Sequence, residues 1–216
     1  MFESIDLYCE RTNPGFWAEP VNALTNGFFL VSAWFVWRRA RKTGSLTPAV
    51  WLLLWLMIAI GIGSSLFHTF ATKWAMLTDV LPILFFQLTY LWLYGRDIVA
   101  MRALPTLGLV LGLLVAVLFM LPFSHIMNGS LIYVPALLVL LMLGIYHRAG
   151  KRREPNVMLL ATGVFLLSLT FRTLDNQVCS TLPLGTHFLW HTGNAVVLYL
   201  VLRGYLANRP GGPAPN

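Results

Sequence analysis

Apolar residues run along this chain in long blocks, separated by short polar interruptions. Seven such blocks stand out, at about 20–37, 50–71, 74–94, 104–122, 130–147, 156–172 and 184–206. A helix that crosses a bilayer needs ~20 apolar residues. The pattern therefore predicts an all-α integral membrane protein, a bundle of seven transmembrane helices. The connecting segments leave no room for a soluble domain. A single domain is expected over 1–208, with 1–19 as an external N-terminal segment and 209–216 as a Pro/Gly-rich, disordered tail. The first apolar block follows an acidic segment, unlike the start of a cleaved signal peptide.

Composition agrees. The 216 residues are 57% hydrophobic and only 11% charged, too little charge to coat a soluble domain. A net charge of +7 could suggest nucleic acid. Its distribution argues for a membrane instead, because the basic residues sit in short loops between apolar runs. Twelve fall on one side of the predicted bundle: Arg38, Arg39, Arg41, Lys42, Arg96, Arg102, Arg148, Lys151, Arg152, Arg153, Arg203 and Arg209. Only Arg11, Lys73 and Arg172 fall on the other. Basic loops stay in the cytoplasm. The N-terminus is thus expected outside, in a periplasm or organelle lumen, and the C-terminus inside.

This topology gathers the unusual residues at one depth, toward the outer face. His68 ends the second block, Asp79 lies about one turn into the third, and His187 and His191 open the seventh. Ionisable groups in hydrocarbon are costly and mark function. His187 and His191 are four apart, so one helix face presents both, ~6 Å apart along the axis. Ser64 lies one turn deeper than His68 on the same face. Three imidazoles leave a tetrahedral zinc one open position, as catalytic sites require. Ser64 alone could be a small residue for close helix packing, like Gly61 and Gly63. Asp79 is harder to explain structurally, because a buried carboxylate needs a partner. His125 and His147 fall outside this set and are expected to be interfacial, without a role.

These residues carry a family resemblance. Gly61-Ile-Gly-Ser-Ser-Leu-Phe-His68, followed by Asp79 and Pro82, resembles the signature of the alkaline ceramidases, as does Thr186-His-Phe-Leu-Trp-His191. The run from Glu19 through Asn22 to Asn26 is similar to another element of that family. The resemblance extends from about Asp6 to Tyr199. It implies a seven-helix fold with zinc on His68, His187 and His191, and hydrolysis of the amide of an N-acyl sphingoid lipid such as ceramide. Asp79 is then the expected general base and Ser64 the expected oxyanion donor.

Asp6, Glu10, Asn13 and Glu19 are oxygen donors in a short stretch, which suits calcium. Animal members of the resembled family bind calcium here through acidic residues, an Asn and a backbone carbonyl, which implies the carbonyl of Tyr8. The spacings of Asp6 and Asn13 differ from the animal pattern. The topology places the two cysteines, Cys9 and Cys179, on the oxidising face, which suggests a disulfide over two separate thiols. The resemblance supports the same pairing. Such a bond would fasten the N-terminal segment over the zinc site. Arg172 and Asp175 are three apart and could pair, and Asn22 and Asn26 could hydrogen-bond between helices. Trp190 and Phe67 could line the entrance.

The leading expectation is an intramembrane zinc-dependent amidohydrolase acting on ceramide-like lipids. The alternatives are a zinc-containing seven-helix lipid receptor or sensor, related to the adiponectin receptors of the same superfamily, and a hydrolase of another N-acyl or ester lipid. A transporter finds little support, because charged residues within the blocks are few.

Overall fold

The computed structural model describes residues 4–210. The expected disordered tail lies almost wholly outside this range. Among the described residues there is no strand. The helices are α1 (Pro20–Thr25), α2 (Gly27–Lys42), α3 (Pro48–Phe70), α4 (Lys73–Leu93), α5 (Ala103–Met120), α6 (Val134–Ala149), α7 (Val157–Val178) and α8 (His187–Asn208). A π-helical turn, Tyr94–Ile98, extends α4.

Among the described residues, five segments are long and apolar enough to cross a membrane: Pro48–Phe70, Lys73–Ile98, Ala103–Phe123, Ile126–Ala149 and Val157–Val178. They present apolar side chains outward. Leu104, Val115 and Phe119 on α5 are 79%, 63% and 66% exposed. A surface of that kind is stable against lipid and not against water. The other two expected spans, carried by α2 and α8, do not reach that standard. The first block divides at Asn26, because Glu19 to Asn26 form the separate short helix α1 and its caps, leaving α2 with 16 residues. α8 is long enough, but His187, His191, Asn194 and Arg203 dilute its apolar character.

Helix ends follow local chemistry. The Thr47 hydroxyl accepts a hydrogen bond from the Val50 amide and Pro48 occupies the first turn, which starts α3. Ala71 in the left-handed region (φ 45°) stops it, and α4 begins two residues later. α3 and α4 therefore form an antiparallel hairpin. Left-handed backbone at Met127, Asn128 and Gly129 delays α6 to Val134, later than the expected 130. α7 continues to Val178, well past the expected end at 172, and so takes Arg172 and Asp175 inside the protein.

The core is apolar along its length. Val36, Leu53, Met57, Met158 and Leu202 are buried together between α2, α3, α7 and α8. The end of the bundle where α3 stops and α8 starts collects the histidines. The opposite end collects the basic loops, where Glu154 pairs with Arg39 at 3.0 Å and Arg203 at 2.6 Å. A disulfide joins Cys9 to Cys179, as expected, and ties the N-terminal segment to the end of α7.

Candidate metal and catalytic site

α3 carries His68 in its last turn, and α8 offers His187 and His191 from its first two turns. The three rings are buried, with centroids 4.6–5.1 Å apart. Each offers a ligand atom, and these atoms all lie within 4.8 Å of one another. His68 Nε2 and His187 Nδ1 are buried without a hydrogen-bond partner. Uncompensated burial of polar nitrogens costs about 1–3 kcal/mol each. Three imidazoles arranged in this way fit a metal ion as the missing partner.

The surroundings set the rings for that task. Glu19 Oε2 lies 2.5 Å from His68 Nδ1, and Glu19 Oε1 pairs with Arg11 at 2.5 Å. A carboxylate held by Arg can only accept, so His68 carries its proton on Nδ1 and turns the Nε2 lone pair inward. Thr25 does the same for His191, at 3.1 Å from Nδ1. Its own hydroxyl proton goes to the carbonyls of Val21 and Asn22, which leaves an oxygen lone pair for the ring N–H. Partners of this type fix tautomer and raise ligand basicity in metal sites.

Asp79 projects from α4 beside this cluster, and the Ser64 hydroxyl of α3 faces its carboxylate. Gly63 makes the approach possible. A Cβ there would stand 1.9 Å from the Thr78 carbonyl oxygen and 3.2 Å from the Asp79 amide. Ser64, Asp79, His191 and Trp190 line one end of an apolar cavity that also reaches Leu91 and Leu143. Asp79 and Leu91 are twelve residues apart on α4, so the cavity follows the helix for ~18 Å. Trp190 thus lines the cavity, whereas Phe67 packs with Tyr8 and Ala75 away from it.

The N-terminal segment covers the cluster. The Tyr8 ring stacks on His187 with centroids 3.6 Å apart, and its hydroxyl accepts from Arg172 at 2.8 Å. Arg172 lies over the rings of Tyr8, Tyr133 and Trp190. The expected pairing of Arg172 with Asp175 is replaced by this arrangement. Asp175 instead accepts from the amides of Thr186 and His187 at 2.6 and 2.9 Å, and from Cys9 at 3.1 Å. It caps the start of α8 and binds the N-terminal segment at once. Gly185 (φ 66°) allows it, because a Cβ there would stand 2.1 Å from Asp175 Oδ1.

The expected calcium donors lie along the N-terminal segment up to the start of α1. Asp6, Glu10 and Glu19 do not converge as a metal-binding group among the described residues. Asp6 is exposed. Glu10 accepts from the Val21 and Asn22 amides at 2.7 and 2.8 Å, anchoring α1. Burial pushes its carboxyl above the ordinary value, while the two amide bonds oppose the rise. Asn13 Oδ1 accepts from the Gly15 amide at 2.8 Å, and the Tyr8 carbonyl from the Arg11 amide at 3.1 Å. Asn22 donates to Glu19 at 3.2 Å and Asn26 to the Asn22 carbonyl at 2.8 Å, so these bonds stay within α1 and its caps rather than joining helices as expected, and Asn22 also holds the His68 partner.

Sequence reasoning did not find the roles of Arg11 and Thr25, and it assigned Glu19 to calcium. The signal available for Glu19 and Thr25 was their place in the Glu19–Asn26 element. His147 is also more than interfacial. It is fully buried, with Nδ1 on the Tyr94 hydroxyl at 2.8 Å and Nε2 on the Arg153 carbonyl at 3.1 Å. His125 is exposed.

The family model described as Ceramidase matches residues 5–211, nearly the whole chain. No curated protein matches it significantly.

Proposed function

Because the chain belongs to the ceramidase family, we propose that it is an intramembrane amidase that cuts the N-acyl bond of ceramide-like lipids, with zinc held by His68, His187 and His191. One observation carries this reading: three buried imidazoles converge beside a carboxylate at the end of a long apolar cavity. Three protein ligands and one open position are the usual equipment of catalytic zinc. Bound there, the metal supplies a Lewis acid for the amide carbonyl and lowers the pKa of water to ~7.

The chain's own residues do the rest. Glu19 and Thr25 hold the His68 and His191 rings in one tautomer. Asp79 takes a proton from the attacking water and delivers it to the amine nitrogen as the C–N bond breaks. The products are a fatty acid and a sphingoid amine. Ser64 has one hydroxyl proton, which at rest faces Asp79. Once Asp79 is protonated and can donate back, Ser64 is free to donate to the oxygen of the former carbonyl, where negative charge develops. The apolar cavity receives hydrocarbon chains, and its lining excludes water.

We also infer that α2 and α8 cross the bilayer with the five more apolar segments, making seven spans. The twelve basic residues of the loops and C-terminal end would then keep that side in the cytoplasm. The histidines would face the periplasm or lumen, where a Cys9–Cys179 disulfide persists.

The test is fatty-acid release by purified protein from a panel of N-acyl and ester lipids, with zinc measured on the same sample. Release from ceramide with about one zinc per chain is the expected result. Release only from another N-acyl or ester lipid would keep the chemistry and replace the substrate. Zinc without turnover on any lipid would favour a receptor or sensor, and a folded protein without zinc would sink the reading.

A further inference from the structure

The segment read from sequence as a calcium site already contains a cation. Arg11 is 4% exposed, yet its guanidinium is surrounded by oxygen. Nε donates to Glu19 Oε1 at 2.5 Å. Nη1 lies 3.4 Å from the Asn13 carbonyl oxygen and 3.3 Å from that of Gly15. Nη2 donates to the His68 carbonyl at 3.1 Å. One carboxylate and three carbonyls are the kind of donor set a hard divalent cation takes. Here a planar fork of N–H groups occupies it.

The position suits a positive charge. His68 lies in the last turn of α3, where backbone carbonyls lack helical partners and the helix dipole is negative. The turn from Asn13 to Gly15, closed by the bond from the Gly15 amide to Asn13 Oδ1, wraps the guanidinium. Of the expected calcium donors only the Glu19 side chain faces this cage, and its two oxygens serve Arg11 and His68. Calcium entering there would lose Glu19 to Arg11 and face a fixed like charge.

We propose that Arg11 is the resident cation of this chain: its guanidinium takes Glu19, a carboxylate expected for calcium, ties the N-terminal segment to the end of α3, and holds Glu19 against His68 without a bound ion. Arg11 is thus a positioning residue for a metal ligand, acting through Glu19. A Lys could not replace it, because a single ammonium cannot span the carboxylate and three carbonyls in one plane. The inference goes beyond the amidase reading and does not need turnover to be tested.

The experiment is a melting and metal-binding series on the purified full chain. In wild type, millimolar calcium and a calcium-selective chelator should leave the melting temperature unchanged, and no calcium should bind. Arg11→Gln should bind zinc about tenfold more weakly, because Glu19, the ring partner of His68, is then no longer held, and losing such a partner costs about 10–100-fold. Val36→Ala, a core change outside the site, should lower the melting temperature and leave zinc affinity unchanged, which separates positioning from general stability. Calcium that binds or stabilises the wild type would overturn the proposal, even if Arg11→Gln does not fold. Wild-type zinc affinity in Arg11→Gln would overturn it as well. If the protein takes up no zinc at all, the amidase reading fails while the calcium result still decides this one.

Discussion

Both ends of this bundle bury histidine, and they do so in opposite ways. At one end His147 has both ring nitrogens satisfied, by the Tyr94 hydroxyl and the Arg153 carbonyl. At the other, His68 and His187 each leave a buried nitrogen without a partner, although Glu19 is invested in orienting His68. A structural histidine closes its hydrogen-bond account within the protein. The cluster of three holds its rings firmly and keeps lone pairs open. The difference is what separates a ligand from a strut, and burial alone does not reveal it: His147, His68 and His187 are all 0–1% exposed.

The largest effects should come from the open cluster. His68→Ala and His187→Ala each remove one of the three proposed ligands, so zinc content should fall to background and hydrolysis with it. The protein should still fold, since the helices keep their apolar packing and the disulfide. Zinc analysis and a thermal melt on the same preparation check this. Retention of stoichiometric zinc by either variant would break the comparison, because the unpaired nitrogens would then need another explanation.

Asp79→Asn comes next. It keeps the shape and the hydrogen bond from Ser64 but cannot take a proton. Turnover should fall by about 10²–10⁴, the usual contribution of a general base, with zinc content unchanged. Single-turnover kinetics on the zinc-loaded protein would show it. Normal turnover would remove Asp79 from the chemistry and leave it a role in packing against Ser64.

How much of this was legible from sequence depends on how local the signal is. His68, Asp79 and the His187–His191 pair stand out because each interrupts an apolar run, and helical spacing places them on shared faces. α3, α4 and α5 match their expected limits because a proline, a cap or a short connection marks them locally. Glu19 was visible as part of the Glu19–Asn26 element, but its contact with His68 was not. Its contact with His68 depends on how the N-terminal segment folds back over α3, a path held by the Ile5 amide on the Ala71 carbonyl at 2.7 Å and by Arg11 on His68. No periodicity encodes such a return. The extension of α7 past Arg172 was hidden for the same reason. A buried Arg and Asp read as a helix end until Tyr8 and the α8 amides are seen to satisfy them.

Glu19→Gln sharpens the comparison within the cluster. The amide can still accept from His68 through its oxygen, but it loses the charge that makes the ring a stronger donor to metal and that holds Arg11. Zinc affinity should weaken by about 10–100-fold. Competition with a chelator of known affinity measures it, and activity restored by excess zinc would show that the ligands themselves remain intact.

The smallest effect on function should come from the closed histidine. His147→Ala strips a partner from the buried Tyr94 hydroxyl and from the Arg153 carbonyl, and opens a space between α6 and the end of α4. Leaving buried polar groups unpaired costs about 1–3 kcal/mol, so the melting temperature should drop measurably. Zinc content and turnover per folded molecule should not change, because the defect lies at the far end of the bundle. The outcome to watch is a loss of zinc from His147→Ala. It would mean that the two ends are coupled through α4 and α8, which run between them, and that the open cluster is held by the length of the bundle rather than by Glu19 and Thr25 alone.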